Sequence, residues 1–504
     1  MRVPAHVWVG VVGVVAGCLP ATSHQCVDSD QCGAGGVCEA SGACSFSATD
    51  CPSGRRYGDG VGPLAGQCVD DGGDDAQGVD APATDAAGPD GAVVTPWGDR
   101  HHGNLTVGIS IGRINSYGVL GADAAAGATS ITTMRTSGAN VGTWNDNFVT
   151  GDRVALWRTT GLADTVVSGT TSPTVLDGDV GRWFVTRVTA HNGGGQSQIT
   201  LADPLPIAFP MMGTQVIKLP ELDILTVNTG AALKADDWNG SAGGFTGFFA
   251  DQLILGGTID ASAAGFRGGN AERIGVIHGC TALDGRSQGG GGAAKGESLV
   301  AARYGGSDIA SGRGNIHHGG GGGDCHNAGG AGGGGAGTGG SGGHDAVLRP
   351  VGGMAGVALD YATATHLAMG GGGGAGDDND GNAGGGGRGG GVVFVVARTV
   401  FCTGGALSAA GGDGGSAGND GSGGGGGGGL IYVRAENMQG CSLSAVGGDG
   451  GDSNSPHGPG GGGGGGRIVT VIGNVDTSSF AVLGGSAGSN GQRGAQNGAI
   501  GVIE

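Results

Sequence analysis

Lysine is almost missing from this chain, with only Lys218, Lys234 and Lys295 among 504 residues. Lys and Arg together number 24 against 43 acids, a net charge of −19. Binding to nucleic acid needs a basic surface to neutralise phosphates, so nucleic acid is excluded as a partner. Charged residues of all kinds are 13% of the chain, where about 25% is usual. Aromatics are 4% and proline is limited to 15 residues, with no Gly-X-Y register, which excludes collagen. The apolar run from Val7 to Gly17 is too short to span a bilayer as a helix. No nucleophile elbow, P-loop or HExxH motif is present. Matches to Gly-x-Gly-x-x-Gly mean nothing where one residue in four is glycine.

That glycine, 126 residues, is what the chain has instead. Glycine costs about 1 kcal/mol per helical position, which excludes a helical bundle. Long apolar runs recur, so the chain is not disordered throughout. Three segments repeat. VVFVVARTV (392–400) precedes GGALSAAGGDGG (404–415), LIYVRAENM (430–438) precedes GCSLSAVGGDGG (440–451), and RIVTVIGNV (467–475) precedes TSSFAVLGGSAG (477–488). A degenerate copy is FFADQLILGGTIDAS (248–262). A fixed period of this kind marks stacked units. Each long run is almost continuously apolar, as in a parallel strand covered on both faces. A short strand follows, with Leu407, Leu443 or Phe480 at equivalent positions, and then a glycine tract such as Gly423–Gly429 or Gly460–Gly466. The fold class expected is all-β, a stacked parallel β-helix or β-roll-like domain with long glycine-rich loops, behind a small disulfide-rich module. A corner needs one or two glycines for positive φ, not seven. The tracts therefore either pack side by side in polyproline-II-like form or loop outward, and both readings stay open here.

The organisation expected is a signal peptide (1–17), a lipidated N-terminus (18–25), a Cys-rich module (26–69) and an acidic Asp/Gly/Ala/Pro linker (70–98). A β-rich domain (99–245) and a glycine-rich repeat domain (246–504) follow, the latter with a large insertion at 265–391. In the β-rich part, SITTM, DRVALWR, RWFVTRVTA, QITLA, TQVIKLP and DILTVN read as strands. In the insertion only SLVAARY (298–304), DAVLRPV (345–351) and GVALDYA (356–362) do. Six cysteines (Cys26, Cys32, Cys38, Cys44, Cys51 and Cys68) suit three disulfides of open connectivity. In the repeat, Cys402 aligns with Gly440, one position from Cys441 on the next unit, within disulfide reach. Cys280 and Cys325 remain as a pair by elimination.

The tetrad Val15-Ala16-Gly17-Cys18 resembles the bacterial lipobox. That resemblance implies a diacylglycerol on Cys18, cleavage before it and acylation of the new amine. Leu19, not Asp, follows, which favours the outer membrane over retention. CGAGGVCEASGACSFSATDCPSGRRYG resembles a Cys-rich module of secreted bacterial lipoproteins. From about 127 to 504, the strands followed by a GFRGG phrase and glycine blocks are similar to large glycine-rich surface proteins. These likenesses imply an exported, lipid-anchored protein of the outer membrane or cell surface, in a mostly uncharacterised group with adhesive or envelope roles.

No catalytic residue and no firm metal site are assigned. Asp377, Asp378, Asp380, Asp413, Asp449 and Asp452 are weak calcium candidates, since calcium accepts flexible oxygen-rich loops. GGDGGD (447–452) starts like a calcium nonapeptide, but Asn454 stands where an apolar residue is needed. His317, His318, Asp324, Cys325, His326, His344 and Asp345 are rich in ligand types but lack fixed spacing. Calcium is the one cofactor left open. The function expected is structural or adhesive and non-catalytic, contacting the membrane through the lipid and polysaccharide or another envelope component. The alternatives are a carbohydrate-active enzyme and a calcium-dependent glycan binder.

Overall fold

The computed structural model describes residues 29–32, 36–39, 43–48, 51, 53–57, 68–69 and, with gaps, 96–504. The longest of those gaps are 272–281 and 286–292. The leader 1–17, Cys18, Cys26, Cys280 and most of the acidic linker (70–95) lie outside the described residues. The chain divides into two compact units, Met1–Ala83 and Thr84–Glu504. No α-helix occurs among the described residues, and the protein is all-β.

In the first unit, Val37–Cys38, Cys44–Ser47 and Arg55–Tyr57 form a three-stranded antiparallel sheet. It is stapled by Cys32–Cys44 and Cys51–Cys68, and Cys38 is also disulfide-bonded. With so few large apolar side chains, covalent links take the place of a core.

The second unit is built on two parallel sheets. The longer-stranded sheet runs Leu105–Val107, Glu221–Val227, Phe245–Leu255, Val392–Cys402, Leu430–Gln439, Arg467–Asp476 and Val502–Ile503. The shorter runs Ile111–Gly112, Ala232–Lys234, Thr258–Asp260, Ala406–Ser408, Ser442–Ser444 and Ser479–Ala481. Each rung before the last strand, Val502–Ile503, gives one strand to each sheet, through a tight turn. Gly404 and Gly440 sit in two of these turns at φ 84° and 69°, a region that costs glycine little. The register is that of the sequence repeat: Val392 lies beside Leu430, Leu430 beside Arg467, and Leu407 beside Leu443. Cys402 and Cys441 are joined across adjacent rungs with Cα atoms 4.9 Å apart.

The long strands are apolar on both faces because both are covered. Val393, Val395, Ile431 and Ile468 face Leu407 and Leu443 of the short sheet. Val392, Phe394, Val396 and Leu430 face outward onto Trp157, Ile217 and Leu219, which belong to a closed six-stranded antiparallel barrel. Phe394 and Tyr432, neighbours on adjacent rungs, stack at 5.0 Å. The barrel strands lie between Tyr117 and Leu219, around Phe148, Leu156, Ile199 and Phe209. The barrel is thus inserted between the first rung and the second. The boundary drawn at 245 needs correcting, since one sheet runs straight through it. The first two rungs carry no glycine tract and are separated by the barrel, which hides them as repeats.

Between Asp260 and Val392, strands whose rungs are direct neighbours, lie some 130 residues. SLVAARY and DAVLRPV form no strand in their described parts, and of GVALDYA only Leu359–Asp360 is one. This segment and the later tracts are glycine for another reason. The tract 421–429 shows it. Gly423, Gly426 and Gly429 donate to the carbonyls of Gly415, Gly412 and Ala409. Gly424 and Gly427 donate to Gly374 and Gly371, and Gly425 and Gly428 to Gly461 and Gly464. Its carbonyls accept from Gly384, Gly387 and Gly390, from Gly330 and Gly333, and from Gly448 and Gly451. Partners therefore change with a period of three, the period of an extended polyproline-II-like helix, and six neighbours surround one tract. The expectation of long glycine-rich loops is corrected accordingly: the tracts pack, and most of their residues are buried. The physical reason is steric. A Cβ at Gly424 would collide with the carbonyl of Ala331, and one at Gly426 with that of Arg388.

This makes glycine positions unequal. Gly424→Ala should destabilise by about 2–3 kcal/mol, the cost of overpacking a close-packed interior. Gly418 has open space where a Cβ would stand. Gly418→Ala should change stability by less than about 1 kcal/mol, from reduced unfolded-chain entropy. Thermal unfolding of the two variants checks the contrast, and equal effects would refute the packed bundle.

Candidate functional site

Because the tracts are bonded side by side in register, the loops that join them far from the sheets share one end of the bundle. Those loops are 324–328, 344–351, 377–383, 416–420, 452–457 and 489–495, described apart from 346, 455, 491 and 492. They touch one another. Asn327 donates its N–H to Asp377 Oδ1 (2.9 Å) and its Nδ2 to the Asn419 carbonyl (3.2 Å). The same Nδ2 lies 2.9 Å from His457 Nδ1. Asn379 and Asn382 donate their N–H groups to Asp420, at 3.3 and 2.9 Å, and Asn419 Nδ2 bonds Asp380.

The centre of this end is acidic. Carboxylate oxygens of Asp378, Asp380 and Asp420 lie within 4.8 Å of one another. Asp377, Asp378 and Asp420 are buried, and among the described residues no Lys or Arg forms an ion pair with them. Burial pushes the Asp377 carboxyl up to about 7, helped by the charges of Asp324 and Asp420 and opposed by the Asn327 N–H. Burial and the neighbouring Asp380 push Asp420 up to about 6, and burial raises Asp324 to about 6. Like charges have been gathered here, and the charges of Arg313 and Arg349 act on Asp324 against its burial.

The weak calcium candidates thus divide. Asp378 and Asp380 meet, joined by Asp420 from another loop, while Asp377 accepts the Asn327 N–H beside them. Asp413 and Asp449 stand elsewhere and Asp452 opens another of the six loops, each accepting a backbone N–H from the next rung: Asp449 N–H on Asp413 (2.8 Å), Ser486 N–H on Asp449 (2.6 Å) and Ser489 N–H on Asp452 (2.6 Å). The repeated GGDGG phrase is a hydrogen-bond ladder along the exposed edge of the bundle. Asp420, Asn327 and Asn419 went unnoticed in the sequence. The signal for Asp420 was there, since Asn-Asp-Gly occurs at 379–381 and again at 419–421.

The histidine-rich set does not form one centre. Cys325 is disulfide-bonded, and Asp345 is closed on Arg349 by a 2.6 Å bond. His317 bonds Thr174 through Nδ1 (2.8 Å). His318 is fully buried edge-on against Phe266 of the GFRGG phrase, with ring centroids 5.3 Å apart. Arg267 of the same phrase grips Glu297 with two bonds of 2.8 and 2.9 Å.

A second polar cluster ties the barrel to the rungs. Glu221, fully buried, receives Arg153 Nε at 3.0 Å and Arg187 at 2.9–3.0 Å. Lys218 meets Asp152 at 2.7 Å inside the protein. Burial lowers the lysine and raises the aspartate, while their attraction opposes both shifts. His102, whose pKa burial lowers to about 3, accepts the Glu221 N–H. Asp99, Asp152 and Glu221 are balanced by Arg153, Arg187 and Lys218, an arrangement that joins elements and keeps no charge for a ligand. An open groove of about 650 Å³ lies over the last rungs, lined by Trp97, Arg434, Glu436, Asn437 and Val471. Trp97 is only 8% exposed there and faces the Arg434 guanidinium.

No family model and no curated protein matches the chain. Among solved structures, the tailspike protein gp49 from Pseudomonas phage LKA1 aligns with 75% of this chain and 69% of its own, at 10% identity and a TM-score of 0.14. A score that low carries no inference.

The buried histidines set an acid limit on stability. Burial, with His317 nearby, holds the pKa of His318 at about 3, against 6.5 for the free side chain. Below pH 6.5 the unfolded chain takes up a proton that the folded one refuses, so stability falls as pH drops from 6.5 towards 3. His318→Phe should remove one proton from that uptake, about 1.4 kcal/mol per pH unit. Melting temperatures between pH 7 and 4 should fall less steeply in the variant, and parallel curves would contradict the assignment.

Proposed function

We propose that this chain is an exported, lipid-anchored surface protein that displays polar loops on a rigid glycine bundle and has a structural or adhesive role without catalysis. The observation that carries the reading is the gathering of six loops at one end of a close-packed, hydrogen-bonded body. Recognition loops work best on a support that does not move, because less ordering is needed on binding. In this reading the rungs form a β-helix-like scaffold. The disulfides fit an oxidising compartment outside the cytoplasm. The lipobox-like tetrad ending in Cys18 supports the anchor, since two or more acyl chains hold a protein stably to a membrane. Amide and carboxylate groups such as those of Asn382, Asn419, Asp380 and Asn454 suit the hydroxyls of a polysaccharide, the partner class the reading favours.

Two experiments test it. Expressed in an envelope-bearing bacterial host, the full chain should fractionate with membranes and Cys18→Ser should not. Unchanged fractionation of the variant would overturn the anchor. The detergent-extracted full chain, offered purified envelope polysaccharides, should bind one of them without releasing sugar. Released reducing sugar would replace the adhesive reading with a carbohydrate-active enzyme, and absence of binding would overturn the adhesive role.

A further inference from the structure

We propose that the loop end of the glycine bundle holds a divalent cation of the calcium type, bound by Asp378, Asp380 and Asp420, with the amide oxygen of Asn327 completing the oxygen shell. The proposal goes beyond the display reading and is independent of it, since a chain that binds no glycan can still bind calcium.

The three carboxylates come from two loops that the bundle clamps side by side, and their oxygens already lie within 4.8 Å of one another. Each carboxylate accepts one or two hydrogen bonds from the loops: Gly381 N–H on Asp378 (2.5 Å), Asn382 Nδ2 on Asp380 (2.7 Å) and Asn382 N–H on Asp420 (2.9 Å). These bonds orient the groups and leave lone pairs over, because an ionised carboxylate has about four acceptor sites. Hard oxygen donors, several of them acidic, on loops that can adjust are the donor set calcium selects.

A second observation is independent of the acids. Asn327 is 3% exposed, and its Oδ1 has no hydrogen-bond donor. Its N–H is on Asp377 and its Nδ2 on the Asn419 carbonyl, so the side chain is wedged between the loop of Asp377 and the residue before Asp420. A buried amide oxygen left without a donor costs about 1–3 kcal/mol, and a cation beside it removes that cost. Asp324, fully buried, likewise has an Oδ1 without a donor, and its charge acts on Asp377.

The full chain, stripped with chelator, is titrated with calcium chloride by calorimetry, and its melting temperature is followed in parallel. One calcium per chain should bind, with a dissociation constant of about 10⁻⁴–10⁻³ M or tighter, the range of extracellular modules. The melting temperature should rise by several degrees. Asp380→Asn, at an exposed position, should weaken binding at least tenfold while the calcium-free melting temperature is kept. Asp420→Asn should abolish binding and, by relieving repulsion, melt no lower than the parent without calcium. Asp413→Asn, on the outer ladder, should bind as the parent does. Failure of millimolar calcium to give heat or a melting shift would overturn the proposal. So would undiminished binding in both Asp380→Asn and Asp420→Asn, and magnesium binding as tightly as calcium would overturn the choice of cation. A glycan-binding defect with intact calcium binding would count only against the display reading.

Discussion

The structure rests on backbone-to-backbone hydrogen bonding between glycine tracts, with no side chain in between. Each glycine ordered this way gives up more chain entropy than any other residue, about 0.5–1 kcal/mol beyond alanine. Each buried N–H···O bond returns about 1 kcal/mol net, and an unmade one would cost more. The balance closes only if nearly every amide finds a partner, which requires many tracts at once. A tract such as 421–429, with six neighbours, is therefore ordered by the whole array.

That array is held in register by the sheets. Rungs stack about 4.8 Å apart, and equivalent positions of successive tracts then bond directly, as Gly411 does to Val446 and Gly447 to Leu483. Cys402–Cys441 links two rungs where the strands turn. The barrel covers the outer face of the long-strand sheet through Trp157, Ile217 and Leu219. It is fastened by buried ion pairs of Arg153 and Arg187 with Glu221 of that sheet. The polar end of the bundle is the consequence: side chains excluded from the tracts are collected where the tracts turn.

Part of this could be read from the chain. The long and short strands of the last three full rungs, their register and the Cys402–Cys441 link follow from the spacing of VVFVV, LIYV and RIVTV. The first two rungs did not show, because Leu105–Val107 and Ile111–Gly112 are too short to carry a period and a barrel separates them from the next. In the acidic end, Asp377, Asp378 and Asp380 stood out as a run, whereas Asp420 and Asn327 are about 40 and 50 residues away. Asp413 and Asp449 looked like ligands by composition, and their actual partners are N–H groups of neighbouring tracts.

By itself, the sequence determined the all-β class, the repeat and the position of each strand within it, since apolar periodicity and spacing are local properties. Only the tertiary structure decided what the glycines do. A glycine tract has no side chain to record its neighbours, and the same run of seven can be solvent-exposed or close-packed. Which of these it becomes depends on whether other tracts, distant in the chain, lie near enough to accept its N–H groups. The meeting of Asp378, Asp380 and Asp420 follows from that packing; the repeated Asn-Asp-Gly marks equivalent positions, and the packing alone brings them together.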